Sequence, residues 1–334
     1  MTLRFEVFDE TGTFVYQDRH YDGLMSNLRE LYEDFDSAEL SGKVYLAALD
    51  RMLAAAPDLL PAHMNIASYW DDEAKPKKTL EAALRGLAVA NRQIPEGFNG
   101  AIEWSHLENR AYLRLLNLAL ESYLALNRNR DALAMIELML ARNPADNQGV
   151  RFQLGFVASR AGDHVRAREA FAENAANYPP YYYELALSFM LTGEWVAAAT
   201  AMRRGFAANP YIAEIMGGSL EPAALPIRHS GNLDEPDAAH DYIRSYGAFW
   251  RNPRDAMAFT RWLFNQPKVM VERAGILECR EAMLFAPDAP TRSKIMEQER
   301  RLFAAIDDTI SIAIVAKRKD PRGQAVWPWS QTQV

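Results

Sequence analysis

The chain has 334 residues, a formal net charge of −7 and 49% hydrophobic residues. That length suffices for one long helical array or about two globular domains. The acidic balance, with a pI near 5.5, argues against nucleic acid as a partner, because phosphate binding needs a clustered basic face. A single cysteine, Cys279, excludes an intrachain disulfide and a four-cysteine zinc site, and it fits a reducing compartment.

The N-terminus and the hydropathy pattern bear on localisation. The first residues lack the basic start and apolar run of a signal peptide. No stretch approaches the roughly 18 uninterrupted apolar residues that a membrane-spanning helix needs. We therefore expect a cytoplasmic protein without membrane insertion.

Residues 3–16 differ from the rest of the chain. Two short runs rich in aromatic and β-branched residues flank the turn sequence Asp9-Glu10-Thr11-Gly12, which predicts a β-hairpin. An isolated hairpin is marginal in water, so we expect it to pack on the first helices as an N-terminal cap. The alternative is that its free edge adds a strand to a partner.

From residue 22 to residue 95 the apolar residues recur at helical spacing. The segments Leu60–Trp70 and Lys78–Val89 flank a polar break at residues 71–75, which predicts an antiparallel helical hairpin. We interpret the whole stretch as a degenerate pair of repeat units.

A weak internal repeat of about 34 residues lies between Leu113 and Pro210 and indicates stacked helix–turn–helix units of the tetratricopeptide kind. Each unit carries an apolar first helix, a small residue followed four positions later by a large apolar one, and a closing proline that a helix cannot pass. These last three features fall at Ala132, Ile136 and Pro144, at Ala167, Phe171 and Pro179, and at Ala198, Met202 and Pro210. The alternative is an ordinary helical bundle in which the alanine spacing is accidental.

After Pro210 the pattern loosens into an irregular crossing and then returns to helical periodicity, with one last helix predicted over 291–315. We predict an all-α, right-handed solenoid of helical hairpins with a short N-terminal β-hairpin and a helical C-terminal extension. The predicted segments are the hairpin at 1–20, the repeats at 21–215, the extension at 216–315 and a mobile tail at 316–334 that contains Trp327 and Trp329.

In this repeat the first helix of each hairpin lines a concave groove. A polar entry leading to an apolar floor suits an apolar peptide or an amphipathic helix of a partner protein. The predicted groove residues are Arg114, Asn117, Glu121, Phe152, Phe156, Tyr183, Leu187 and Met190. The alternative is that the chain's own C-terminal helices, or a partner copy in a homodimer, cover these residues.

The sequence offers little catalytic chemistry. Glu103 and His106 share a helical face, but the nearest second pair, Asp237 and His240, is a poor match for a metal site. The Gly217-Gly218-Ser219 segment lacks the strand and the paired base of a nucleophile elbow, and it indicates a helix terminus. We therefore predict no catalytic residue, no metal and no cofactor.

The nine-residue segment Asn143–Arg151, with Leu107–Arg114 upstream and Asn209-Pro210-Tyr211 downstream, resembles a group of bacterial tetratricopeptide-like proteins. In this segment the group is related to the eukaryotic suppressor-of-tumorigenicity family. The resemblance covers roughly residues 93–265 and departs at Ala111, where proline is usual. It implies a helical-repeat protein, sometimes described as a scaffold.

The leading hypothesis is a non-enzymatic scaffold or adaptor that holds a peptide or helix of a partner protein in the groove. A second hypothesis is a chaperone-like binder that masks an apolar segment of one cognate protein. A third is an enzyme with its site between the repeats and residues 236–315.

Overall fold

The computed structural model describes residues 3–16, 20–251, 253 and 255–331. The chain forms two compact units, Met1–Ala167 and Arg168–Val334. The predicted fold class is confirmed: helical hairpins follow one another along the chain after a short β-hairpin. The division falls inside the predicted repeat segment, and the predicted boundaries at residues 20, 215 and 315 remain predictions.

The first unit begins with an antiparallel β-hairpin and continues in helices. Its elements are β1 (Leu3–Phe8), β2 (Thr11–Tyr16), α1 (Tyr21–Asp36), α2 (Gly42–Ala55), α3 (Leu60–Asp72), α4 (Pro76–Asn91), α5 (Asn109–Ala125), α6 (Asn129–Arg142) and α7 (Arg151–Ala161). The next helix, α8 (His164–Asn174), lies across the division between the units.

The β-hairpin packs on its own unit, as an N-terminal cap would. Alternation along the strands buries Leu3 and Phe14. The buried Asn109 side chain, at the start of α5, accepts a hydrogen bond from the Phe14 N–H at 3.0 Å. Its amide nitrogen donates to the carbonyl oxygens of Gly12 at 3.1 Å and Glu103 at 3.0 Å. One side chain thus joins the strand, the preceding loop and the helix.

The repeat positions serve the core, as the pattern predicts. In all three units the small residue and the large residue four positions later are buried. The turns between paired helices fall at Gly162 and Gly193, whose φ angles of 87° and 77° lie in the left-handed region that glycine tolerates. The turn chemistry and the apolar period therefore specify the same hairpins.

The segment Asn143–Arg151 builds the start of α7. The Asp146 carboxylate accepts hydrogen bonds from the N–H groups of Val150 at 2.8 Å and Arg151 at 3.0 Å. It also forms an ion pair with the Arg151 guanidinium at 2.9 Å. Free N–H groups at a helix start need such acceptors, so this segment has a structural role.

The second unit is also helical. Its elements are α9 (Pro180–Leu191), α10 (Trp195–Ala208), α11 (Pro210–Gly217), α12 (Pro236–Tyr246), α13 (Ala256–Phe264), α14 (Pro267–Leu284), α15 (Ala289–Ala304), α16 (Asp308–Ile314), β3 (Arg318–Lys319), β4 (Ala325–Val326) and short 3-10 helices at Asn232–Asp234, Phe249–Arg251 and Pro328–Gln331. Helix α10 is central, since α9, α11, α13, α14 and α16 all pack on it.

The prediction of one last helix over 291–315 is wrong, because the chain forms α15 and α16 with a break at residues 305–307. Asp307 starts the new helix, since its carboxylate accepts the Thr309 N–H at 2.9 Å. The Asp307 carbonyl accepts a hydrogen bond at 2.7 Å from Arg203, which is fully buried in α10. Residue 307 thus combines a local helix cap with an acceptor for a buried cation.

Part of the predicted mobile tail packs on the second unit. Residues 318–326 form the β3–β4 ladder, and Trp329 is fully buried. Thr332–Val334 lie outside the described residues. Across the ranges that the structure describes, every helix is too short or too polar to cross a membrane.

Candidate functional site

The first unit has a cleft that is lined mainly by α1, α3 and α5 and also by Tyr45 of α2. It consists of two adjoining cavities of about 730 Å³ and 520 Å³. The two cavities share four lining residues: Tyr32 from α1, Met64 and Asn65 from α3, and Arg114 from α5. Arg114, a predicted groove residue, therefore lies where the cavities meet. We call this feature the first-unit cleft.

Helical periodicity explains why α1 and α3 leave side chains at the cleft. Helix α3 turns Ala62, Ile66 and Ala67 into the core, so Met64 and Asn65 lie on a different side and stay half-buried. Helix α1 buries only Leu28. Its remaining apolar and aromatic side chains are therefore accessible, and Tyr32 is 50% exposed.

Two arginines of α5 are oriented by an aromatic ring. The guanidinium groups of Arg110 and Arg114 lie 5.4 and 5.5 Å from the ring centroid of Trp104, within cation–π distance. Arg110 Nε also donates to the Trp104 carbonyl at 3.0 Å. Stacking holds both arginines in place and leaves Arg114 exposed at the cleft.

The cleft is electrostatically mixed. Arginine and acidic side chains both line it and are equal in number: Arg29, Arg110 and Arg114, with Asp22, Asp72 and Glu108. A lining with both charges and exposed apolar surface favours an amphipathic ligand over a uniformly charged one.

Tyrosines fix the end of the cleft where α1 begins. The rings of Tyr16 and Tyr21 stack at a centroid distance of 4.2 Å. The Tyr16 hydroxyl accepts a hydrogen bond from the Leu60 N–H at 3.1 Å, at the start of α3. Burial, with a smaller effect of Glu108, raises the pKa of Tyr21 to about 12. Tyr21 therefore stays neutral and offers the cleft a hydroxyl group.

The predicted groove residues of α5 continue this surface. Arg114, Asn117 and Glu121 are spaced by three and four positions, which places them on one face of the helix. Glu121 accepts a hydrogen bond from Gln153 Nε2 at 3.2 Å, which joins this face of α5 to α7.

On α7 the two predicted groove phenylalanines, Phe152 and Phe156, are half-buried. The guanidinium of Arg160 lies 5.3 Å from the ring centroid of Phe156. The first unit therefore carries five of the eight predicted groove residues on α5 and α7. Arg114 alone among them lines the cleft directly.

The other three predicted groove residues belong to the interior of the second unit. Tyr183, Leu187 and Met190 are all at most 5% exposed. The Tyr183 hydroxyl donates to the Asn209 carbonyl at 2.8 Å, and the ring packs near Phe206. The sequence predicts that these residues form an accessible groove floor. They are buried instead, because α10 packs on α9 and covers this face.

Sequence reasoning missed the contribution of α1 and α3 to the cleft. It treated residues 22–95 as a degenerate pair of units and assigned no groove positions there. The available signal was the register of α3, in which the core residues Ala62 and Ile66 leave positions 64, 65 and 68 on the other side. Counting from the core would have identified Met64 and Asn65.

The remaining candidates from the sequence are a metal site, the cysteine and the Gly217-Gly218-Ser219 segment. In the part of the chain that the structure describes, no group of three His, Cys, Asp or Glu side chains could hold a metal ion. Burial raises the pKa of the Cys279 thiol, so this buried cysteine is not an activated nucleophile. Gly218 ends α11, as the helix-terminus interpretation of residues 217–219 predicts.

No protein-family model matches the chain, and no protein with a curated description matches it. A solved structure from Pseudomonas aeruginosa, described as "Functional Characterization of Pseudomonas Aeruginosa pilF", matches with a TM-score of 0.37 and 15% sequence identity. The match covers 72% of this chain and 98% of that chain. So low a TM-score and identity carry no argument, and the specific family resemblance of residues 143–151 stays a prediction.

Proposed function

We propose that this protein is a non-enzymatic interaction module whose first-unit cleft holds a peptide or helix of a partner protein. The observation that carries the proposal is the cleft itself, with adjoining cavities of about 730 Å³ and 520 Å³ that are lined mainly by side chains of α1, α3 and α5. Aromatic and methionine side chains at such a surface are suited to anchoring apolar groups of a partner.

The composition of the cleft supports an amphipathic partner segment. Tyr32 and Met64 offer apolar surface, while Asn65 and Arg114 offer hydrogen-bond donors beside them. Because acidic side chains balance the arginines, a partner that presents apolar anchors with charges of both signs fits better than an acidic tail alone. The face of α5 that continues through Asn117 and Glu121 extends this surface toward Phe152 and Phe156.

The single cysteine is consistent with action in a reducing compartment, and we propose the cytoplasm. In this function the partner is a protein, and no metal, cofactor or nucleic acid takes part.

The test is affinity capture from a lysate of the source cells with three forms of the full chain, read by mass spectrometry. The forms are wild type, Met64→Glu in the cleft, and Val271→Glu on α14 as a matched control. Val271 is 73% exposed in the second unit, so Val271→Glu places a carboxylate on the helix surface at low cost to folding. Met64 is half-buried, so Met64→Glu places the carboxylate within the lining of the cleft.

We expect a partner that is enriched by wild type and by Val271→Glu and is lost with Met64→Glu. Far-UV circular dichroism must show the same helicity for all three proteins. A partner that Met64→Glu retains and Val271→Glu loses would place binding on the second unit and refute the proposal. Adding Phe156→Glu then tests whether the partner also contacts the α7 face.

A further inference from the structure

The residues that follow α16 form a small structured element in the second unit. Residues 317–331, here called the C-terminal strap, contain β3, β4 and the last 3-10 helix. The turn between the strands is organised by Asp320, whose carboxylate accepts the N–H groups of Arg322 at 2.9 Å and Gln324 at 2.7 Å. The strap therefore has its own local hydrogen bonds.

The strap inserts an aromatic ring between two helices. The Trp329 ring lies 4.9 Å from Trp195 at the start of α10, and 4.7 and 5.1 Å from Phe259 and Trp262 on α13. These three side chains form what we call the aromatic slot. Edge and tilted contacts at these centroid distances are the favourable geometry for aromatic pairs.

The second tryptophan of the strap closes over the first. Trp327 stacks on Trp329 with ring centroids 4.9 Å apart and an angle of 10° between the rings. Lys317 Nζ lies 5.0 Å from the Trp327 ring centroid. Trp329 is fully buried, whereas Trp327 stays half-buried. The strap is thus a Trp-Pro-Trp segment with one ring inside the slot and one at its rim.

This arrangement has the features of a ligand held by its receptor. The strap follows α16, which ends at Ile314, and its two strands pair with each other. The contacts described above between strap and slot are ring contacts, which depend on the aromatic segment and not on its covalent attachment. A tethered segment sees its site at a roughly millimolar effective concentration, so the chain's own strap fills the slot in the isolated molecule.

We propose that the aromatic slot is a docking surface for a Trp-Pro-Trp segment, occupied in cis by the chain's own strap and open in trans to the strap of a second copy. Exchange of the same element between identical chains is a low-cost route to a dimer. The proposal is independent of the first-unit cleft and of what binds there.

The experiment uses full-length protein and a fluorescein-labelled synthetic peptide of residues 317–331, with binding followed by fluorescence anisotropy. Trp329→Ala removes the cis occupant and leaves the slot intact. We expect this variant to bind the peptide at least about tenfold more tightly than wild type, whose own strap competes. A double variant, Trp262→Ala with Trp329→Ala, removes one wall of the slot and should lose that binding.

A control peptide with alanine at positions 327 and 329 should not bind any form. Trp327→Ala provides a second test, because removing the half-buried ring weakens the cis strap with less loss of buried surface. A folded Trp329→Ala chain that does not bind the peptide would show that Trp329 is a permanent core residue. Equal binding by wild type and both tryptophan variants, or loss of folding on both single substitutions, would also overturn the proposal.

Discussion

The two units are both built of helical hairpins but differ in which helix faces are accessible. In the first, Tyr32, Met64 and Arg114 lie around open cavities. In the second, side chains of the same chemical types are internal: Tyr183 and Arg203 are fully buried. The comparison teaches that a repeat pattern predicts helices and their core positions, whereas accessibility depends on what else packs on the remaining faces.

Buried ion pairs connect the helices of the second unit. Arg203 of α10 pairs with Glu272 of α14 and donates to the hydroxyl of Ser311 in α16 at 2.9 Å. Arg280 of α14 pairs with Glu299 of α15 at 2.7 Å. A buried cation with several acceptors fixes the helices that supply them, because each unmet partner is costly.

The largest effect should follow from Arg203→Ala. The substitution leaves Glu272, whose side chain is 12% exposed, without its cation, and it leaves the Asp307 carbonyl without its donor. We expect a loss of about 3–5 kcal/mol in the free energy of unfolding, measured by urea denaturation. Hydrogen exchange should locate the loss in α10, α14 and α16.

The matched control is Arg300→Ala, which removes an arginine from an exposed pair with Glu297 on α15. Exposed ion pairs contribute about 0.2–1 kcal/mol, so the control should be nearly silent. Equal losses of unfolding free energy for the two variants would show that the Arg203 contacts do not stabilise the packing of the second unit.

The next effect concerns the pH dependence of the second unit. Glu184 is buried and accepts a hydrogen bond from the Tyr242 hydroxyl at 2.5 Å. Burial raises its pKa from 4.5 to about 7. Between these values the folded chain holds the proton and the unfolded chain releases it, so this group's contribution to stability falls as pH rises.

Glu184→Gln removes that titration and keeps an acceptor oxygen. Relative to wild type, the variant should gain on the order of 3 kcal/mol of stability as pH is raised from about 4 to about 8. Urea denaturation of both proteins across this range measures the difference. Parallel pH profiles would mean that Glu184 is not protonated in the folded chain.

A smaller loss is expected in the first unit from Asn109→Ala. The substitution removes the acceptor of the Phe14 N–H and the donor to Gly12, both buried contacts of the β-hairpin. An unmet buried polar group costs about 1–3 kcal/mol. Hydrogen exchange should increase in β2 and at the start of α5. Asn27→Ala, on the exposed side of α1, is the control and should leave these amides protected.

The smallest expected effect is the pH dependence of His63 in the first unit, which is opposite in direction to that of Glu184 in the second. His63 of α3 is buried, and its Nε2 lies 2.9 Å from the Pro57 carbonyl. Burial lowers its pKa below 6.5, although the Pro57 contact opposes the shift. The unfolded chain therefore takes up the proton first as pH falls, so this group's contribution to stability decreases below about pH 6.5, opposite to the trend at Glu184.

In wild type, the α3 amides should exchange faster at pH 5.5 than at pH 7.5 after correction for intrinsic rates. His63→Gln should make this difference smaller, and hydrogen exchange at the two pH values measures it. The control is His164→Gln at the exposed start of α8. If both variants leave the α3 profile unchanged, His63 does not titrate differently in the folded and unfolded chains.

Much of the fold could be predicted from local sequence signals. The turn at Asp9-Glu10, the polar break between α3 and α4 and the alternating small and large core residues all act within one element or between sequence neighbours. The break before α16 has a local contribution, the Asp307 carboxylate that accepts the Thr309 N–H, and a distant one, the hydrogen bond from Arg203, 104 residues away, to the Asp307 carbonyl. No sequence window contains the Arg203 contact, and the prediction of one continuous helix followed the apolar periodicity and overlooked the capping aspartate at position 307.

The candidate site was harder to predict for the same reason. Arg114 was found because the repeat register places it on the first helix of a clear unit. Met64 and Asn65 were missed because their unit is degenerate. Tyr183 illustrates the converse: its register is correct for a groove, but α10 buries it. Register gives the direction of a side chain along its own helix, whereas exposure depends on distant segments.

The most direct test of the proposed function is site-specific photo-crosslinking with p-benzoylphenylalanine in the source cells. The probe replaces Tyr32 in the cleft or Val271 on α14, both at least half-exposed, and adducts are identified by mass spectrometry. We predict a partner peptide attached at position 32 and absent at position 271. A partner attached only at position 271, or equally at both positions, would contradict the assignment of binding to the first-unit cleft.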